Sequence, residues 1–321
     1  MQLRRRSACD ADSEQRQRRA CDAPEEHTEE VVCRAAAARN LHGSDRFRSS
    51  LLRSWEKFVP GFVQLQDVSL RYNDEETALA LHRTSFEVEQ GEFVSVVGPS
   101  GCGKSTLMKV VTGLWPATVG RVSVASKAVA GPLNCVGMAF QNSSLLPWRT
   151  ILQNVMLPLE IVEPHASRLR RERTAYEARA RDLLALVGLQ GYEEKHPWQL
   201  SGGMQQRTQL CRALIHEPSL LMLDEPFGAL DMFTREELWL ALQELWMSRR
   251  PTVILVTHDL REAAFLADRV LVMSARPGRI ILDRKVNTPR PRDLNSTYDP
   301  ESVKLVHELR EHISAARANA A

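Results

Sequence analysis

Phe93-Val94-Ser95-Val96-Val97-Gly98-Pro99-Ser100-Gly101-Cys102-Gly103-Lys104-Ser105-Thr106 runs from an apolar stretch into a glycine-rich loop that closes on a lysine and two hydroxyls. The loop fits the spacing G-x-x-x-x-G-K-[ST], and the context is the required one: an apolar strand before it, and a helical segment from Thr106 to Leu114 after it. Glycines let the backbone curl until its N–H groups point inward at phosphate oxygens, and the following helix N-terminus adds partial positive charge. Lys104 is then placed for the β and γ phosphates, Ser105 for Mg²⁺, and Thr106 for the α phosphate. Average glycine usage would produce the four specified positions by accident in on the order of one chain in a hundred of this length, so the loop needs support from elsewhere.

That support begins at Leu220-Leu221-Met222-Leu223-Asp224-Glu225-Pro226, a buried-strand pattern ending in two carboxylates. Ligands of open α/β sheets bind at this carboxyl edge. Neighbouring side chains on a strand face opposite ways, so one acid can serve a metal and the other the reaction. Asp224 suits the Mg²⁺ shell, and Glu225 suits a general base that orients or deprotonates an attacking water. An isolated Asp-Glu pair is more often a solvated turn; here a buried strand leads into it. A second such strand, Thr252 to Val256, runs through Thr257 to His258-Asp259 and brings an imidazole to the same edge, placed for the γ phosphate or water. The other eight of the nine histidines carry no comparable context.

The continuous apolar runs at 93–97, 220–223 and 252–256 suit buried parallel strands joined by crossover helices. Phe62 to Leu70 and Ser85 to Glu89 instead alternate apolar and polar, the mark of half-solvated paired strands. Between about 142 and 217 the pattern is mainly helical, with a charged stretch over 167–186 and a helix starting near Ser201. Asp299-Pro300-Glu301 supplies an N-cap, a proline at the first helical position and an early acid, ahead of the stripe Leu305, Val306, Leu309 and Ile313. The expected class is α/β: a mainly parallel core with an antiparallel β subdomain, a helical insertion and a docked C-terminal helix within 291–321.

The 321 residues, 43% hydrophobic and 26% charged, are of ordinary globular composition, and a net charge of +2 is too mild for a nucleic-acid-binding face. Apolar runs are of strand length, short of the roughly 20 residues that cross a bilayer. No apolar segment follows Arg4, Arg5 and Arg6, and Asp10, Asp12 and Glu14 argue against a transit peptide, so a cytosolic location is expected. The six cysteines form no C-x-x-C pair and are expected reduced. Residues 1–60 lack apolar periodicity and are expected to form a disordered charged extension. A thiol at Cys102, under a helix N-terminus, raises the further possibility of a depressed pKa, with a simple fit in the loop the more ordinary reading.

Leu200-Ser201-Gly202-Gly203-Met204-Gln205-Gln206-Arg207 opens a helix with a serine and two glycines, a second anion-receptive N-terminus far along the chain from the first. Together with Gln141 in Ala139-Phe140-Gln141, Asp231 in Gly228-Ala229-Leu230-Asp231 and Asp224-Glu225-Pro226, it makes the chain resemble the ATP-binding-cassette ATPases. The resemblance covers about 62–290, with a helical signature subdomain at about 142–217. It implies an ATPase of the P-loop class in which Tyr72 stacks on adenine and Gln141 touches Mg²⁺ and the attacking water. Ser201, Gly202, Gly203 and Asp231 are then nucleotide-contacting residues, with Ser201 and Gly203 on the γ phosphate. It also implies head-to-tail dimers in which the signature helix of one protomer closes on ATP held by the other, so that bound triphosphate favours the closed state.

Leu146-Pro147-Trp148-Arg149-Thr150 and Ser274-Ala275-Arg276-Pro277-Gly278-Arg279-Ile280 look like the nitrate, sulfonate and taurine importer branch. That resemblance implies a peripheral subunit on the cytoplasmic face of the cell membrane. Its partners would be a second ATPase subunit, transmembrane permease subunits and, indirectly, a periplasmic or lipid-anchored solute-binding protein. The competing reading is a soluble cassette clamping ribosomes or nucleic acid; such proteins usually carry tandem cassettes or a long coiled coil, and the sequence shows neither. A nucleotide-sensing module that does not hydrolyse is weakened by Glu225 and His258.

Overall fold

The computed structural model describes residues 61–72 and 79–318. The expected extension over 1–60, with Cys9, Cys21 and Cys33, lies outside the described residues. The chain begins with β1 (Val63–Arg71) and β2 (Leu79–Val88), an antiparallel pair in which Leu65 faces Phe86. Then comes β3 (Phe93–Val97), followed by the glycine loop and α1 (Lys104–Val111). β4 (Val119–Val124) and β5 (Lys127–Ala128) return to the first pair, completing an antiparallel sheet of order β2-β1-β4-β5.

β6 (Val136–Ala139) opens the second half of the core. The helices α2 (Ile151–Met156), α3 (His165–Leu186) and α4 (Gly202–Leu214) follow. Thr150 and Gln153 form a reciprocal capping box on α2, and the Ser201 hydroxyl accepts from the Met204 N–H to start α4. After these come β7 (Leu220–Asp224), α5 (Met232–Arg249), β8 (Thr252–Val256), α6 (Leu260–Leu266), β9 (Arg269–Met273), β10 (Ile280–Lys285) and α7 (Pro300–Ala318). The main sheet has the order β10-β9-β3-β8-β7-β6, parallel from β9 to β6 with β10 antiparallel at one edge. The class is α/β, as the three apolar runs required.

Every residue of β3, β7 and β8 is buried, because both faces of the parallel sheet are covered. Val94, Val96, Met222, Ile254 and Val256 face one cluster, shared with Leu107, Met108 and Val111 of α1 and with Leu65, Leu70 and Leu81 of the antiparallel sheet. Phe93, Val97, Leu221, Leu223, Val253 and Leu255 face the other, filled by the helices. α1 is thus wedged between two sheets, with the loop lysine as its first residue.

The C-terminal segment is fastened by two arginines. Nη1 of Arg292 donates to the carbonyls of Ala264, Phe265 and Ala267 at the end of α6, while its Nε and Nη2 reach the Thr288 carbonyl. Arg290 binds Asp268 and the Leu266 carbonyl, and its guanidinium lies 4.3 Å from the Trp246 ring centroid. These cations satisfy orphan carbonyls at a helix C-terminus, where the macrodipole favours positive charge. In α7, Leu305 and Leu309 are buried against the same helices, and Val306 and Ile313 pack at their edge.

Candidate functional site

The loop between β3 and α1 needs its glycines. Gly101 and Gly103 sit at φ +75° and +107°, conformations that cost a side-chain-bearing residue strain, and a Cβ on Gly103 would lie 2.9 Å from the Ala80 carbonyl oxygen. Inside the loop, Lys104 is buried and its Nζ donates to the carbonyls of Gly98 and Pro99, both at 2.9 Å. The ammonium is thereby held at the centre of the curl, its third N–H lying toward the Cys102 sulfur at 3.9 Å. Cys102 is turned inward and 1% exposed; burial pushes its thiol pKa up, outweighing the pull of Lys104. A reactive thiolate at this helix start is therefore disfavoured.

A cleft of about 570 Å³ opens over the loop, lined by Ser100, Gly101, Gly103, Lys104, Ser105 and Thr106 together with Tyr72, Gln141, Glu225 and His258. Residues far apart in sequence meet there. Tyr72 is edge-on to Trp115, ring centroids 5.4 Å apart, and its hydroxyl bonds the Thr106 hydroxyl at 2.7 Å. Its ring forms one wall of the cleft, and half its polar capacity is tied to the loop helix. Asp224, at the end of β7, is buried beside Ser105; burial and the neighbouring Glu225 raise its pKa, against the pull of Ser105 and Lys104.

Glu225 departs from strand geometry. Its φ is +48°, a left-handed conformation that costs of order 1–3 kcal/mol in a non-glycine residue and concentrates at functional sites. The turn swings its carboxylate out of the sheet and into the cleft, where Oε2 accepts from Gln141 Nε2 at 3.0 Å and lies 3.3 Å from His258 Nδ1. The alternation argument anticipates opposite sides for Asp224 and Glu225; the left-handed turn, invisible in the sequence, is what separates them here.

The donor set around Ser105 fits Mg²⁺: a buried carboxylate, a hydroxyl and the amide oxygen left free on Gln141 are all hard oxygens. A cation that keeps waters and takes substrate phosphates needs only one or two protein carboxylates. The cradle fits a triphosphate in turn, through the open left-handed loop, the α1 N-terminus and Lys104.

Other expected contacts fall elsewhere. Gly98 and Pro99 give carbonyls to Lys104 rather than lining the cleft, and Cys102 faces the core. Ser201, Gly202, Gly203 and Asp231 also lie outside this cleft. They form a surface of their own: a Cβ on Gly203 would come within 2.7 Å of Leu230, so the signature helix start packs directly on the 228–231 turn. Gln206 joins the two motifs, accepting from the Ala229 N–H and donating to the Gln141 carbonyl. Asp231 caps α5 through the Thr234 N–H. Two residues at the site carry no role in the sequence pattern: Trp115, which backs Tyr72 from outside the cleft, and Arg276, quoted only as part of 274–280, which lines the cleft and donates to the Leu79 carbonyl.

The sequence pattern of the family described as ABC transporter matches residues 81–228. The aliphatic sulfonates import ATP-binding protein of Bacillus licheniformis is 41% identical over 235 residues, covering 71% of this chain and 88% of that protein. The taurine import ATP-binding protein of Rhizobium johnstonii is 43% identical over 242 residues, covering 74% and 89%. Among solved structures, a dimeric post-hydrolysis ATP-binding cassette bound to ADP and Pi superposes with a TM-score of 0.61 at 30% identity, covering 71% of this chain and all of that one.

Proposed function

This chain belongs to the ABC transporter family as an ATP-binding, ATP-hydrolysing subunit, and from that premise we propose that it drives a bacterial importer for small sulfonate-, taurine- or nitrate-type anions. Support for the solute class comes from the sulfonate and taurine importers it resembles at 41% and 43% identity. The chain would work as a peripheral subunit on the cytoplasmic face of the membrane, with a separate permease docked near the surface after Gln141 and a solute-binding protein acting through that permease. No helix among the described residues is long and apolar enough to cross a membrane.

The observation that carries the hydrolytic assignment is the meeting of Gln141 and His258 on one carboxylate oxygen of Glu225, above the loop that holds Lys104. In this reading Glu225 accepts the proton of the attacking water, Gln141 and His258 orient it, and Lys104 neutralises phosphate charge. Mg²⁺, held by Ser105, Asp224 and Gln141, would supply Lewis-acid neutralisation of the β and γ oxygens. Ser201, Gly202, Gly203 and Asp231 face a separate surface and would complete the site of a second copy of the chain, as the cassette dimer implies.

The test is transport by the membrane complex reconstituted with its permease and binding protein. ATPase activity stimulated by a sulfonate or taurine with its binding protein, and lost with Glu225→Gln, is the expected result. Solute movement that persists with Glu225→Gln would contradict the coupling role, and co-purification with ribosomes instead of membranes would favour a clamp.

A further inference from the structure

Arg235 belongs to none of the motifs above and does not line the cleft. It sits on the first turn of α5, and its guanidinium makes two contacts far apart in sequence. Nη1 donates to Oδ2 of Asp259 at 3.0 Å, and Nη2 donates to the Leu230 carbonyl at 3.1 Å. Leu230 is in the turn that packs on Gly203. Asp259 directly follows His258. One rigid fork therefore spans the turn beside the signature helix and the residue next to the hydrolytic imidazole.

The remaining contacts leave Asp259 little freedom. Its Oδ1 accepts from the N–H groups of Arg261 and Glu262 to cap α6, and its own N–H is held by the Thr257 hydroxyl. The Arg235 and Asp259 side chains are only 27% and 25% exposed, so the pair is screened less than a surface ion pair. Behind it Glu262 is buried, close to Thr257, Asp259 and Glu225. Burial and these two carboxylates push its pKa well above the ordinary range, which disfavours the charge that would compete with Asp259 for Arg235.

We propose that Arg235 is a positioning residue for ATP hydrolysis: by gripping Asp259 and Leu230 together, it fixes His258 against Glu225 in step with the 228–231 turn. A second copy of the chain pressing on that turn would then be felt at His258 through a single side chain. The inference rests on the reading of His258 as a hydrolytic group.

Steady-state ATPase assays on the full chain decide it. Arg235→Ala lowers kcat about tenfold while KM for ATP stays within about twofold, since misplacement of a reacting group by a fraction of an ångström costs turnover more than binding. Arg235→Lys recovers part, because an ammonium can keep one contact at a time. Asp259→Asn, whose amide oxygen still caps α6, reproduces the loss. In a His258→Ala background Arg235→Ala adds less than about twofold, because both act on one step. Equal losses in the two backgrounds, or wild-type kcat in both Arg235→Ala and Asp259→Asn, overturn the proposal. Should Arg235→Ala fail to fold, Asp259→Asn with and without His258→Ala is judged by the same criteria. Wild-type kcat in His258→Ala alone would remove the underlying reading of His258, a result distinct from additive losses.

Discussion

Nδ1 of His258 lies 3.3 Å from Oε2 of Glu225, the oxygen that also accepts from Gln141. Gln141, Glu225 and His258 follow β6, β7 and β8, which are neighbours in the sheet, so three successive carboxyl ends aim at one point. This is the edge at which open α/β sheets bind ligands. With Oε2 held by two side chains, Oε1 of Glu225 is left to receive a proton.

Lys104→Ala should weaken ATP binding at least about tenfold, since it removes a charge-assisted contact to phosphate. It also leaves the carbonyls of Gly98 and Pro99 without their donor. Titration calorimetry reads the effect, and an affinity equal to that of the wild type would contradict the role given to the loop.

Tyr72→Ala should raise the Kd for ATP several-fold, on the order of 1 kcal/mol for a lost aromatic contact, with Tyr72→Phe close to wild type. The Tyr72–Trp115 contact makes the part of the tryptophan fluorescence change that is lost in Trp115→Phe a reporter of nucleotide entering the cleft. A Tyr72→Ala variant that binds ATP normally would place the adenine elsewhere.

Glu262→Gln should raise stability more at pH 8 than at pH 4. The folded-state pKa of Glu262 is raised above its ordinary value of 4.5, so the folded protein binds its proton more tightly than the unfolded chain does. Stability contributed by that proton is complete below the unfolded pKa and falls as pH rises through the folded one. The amide of the variant does not titrate, so its Tm loses that component of the decline. Parallel Tm-against-pH curves for the two proteins would contradict a raised folded-state pKa.

Arg292→Ala should cost about 3 kcal/mol, because charge-assisted bonds to several buried carbonyls vanish together. Burial and the adjacent Arg290 push the Arg292 pKa down to about 10, still far above neutral, so the loss is the same from pH 6 to 8. A Tm drop of about 6 °C or more in a thermal melt is expected, and a drop under about 2 °C would mean that the tail contributes little.

The parallel strands were legible because both faces are buried: the expected bounds 93–97 and 252–256 are the observed ones, and 220–223 gains only Asp224. Strands β4, β6 and β10 left no comparable trace. β4 begins with three exposed positions, β6 carries Gly137, whose Cβ would lie 2.1 Å from the Ala213 carbonyl, and β10 is half charged at an edge. Loop, carboxylates and imidazole could be read because their spacing is imposed by phosphate chemistry. The cleft position of Arg276 and the contacts of Trp115 and Arg235 could not, since they depend on which segments lie side by side. The left-handed turn at Glu225 was equally hidden, because no glycine marks it.

Phosphate release at saturating ATP and Mg²⁺ by the wild-type chain and by Glu225→Gln tests the central claim most directly. A loss of at least about a hundredfold in kcat, with ATP affinity retained, is the expected result for removal of a general base. Turnover by Glu225→Gln within about twofold of wild type would contradict it.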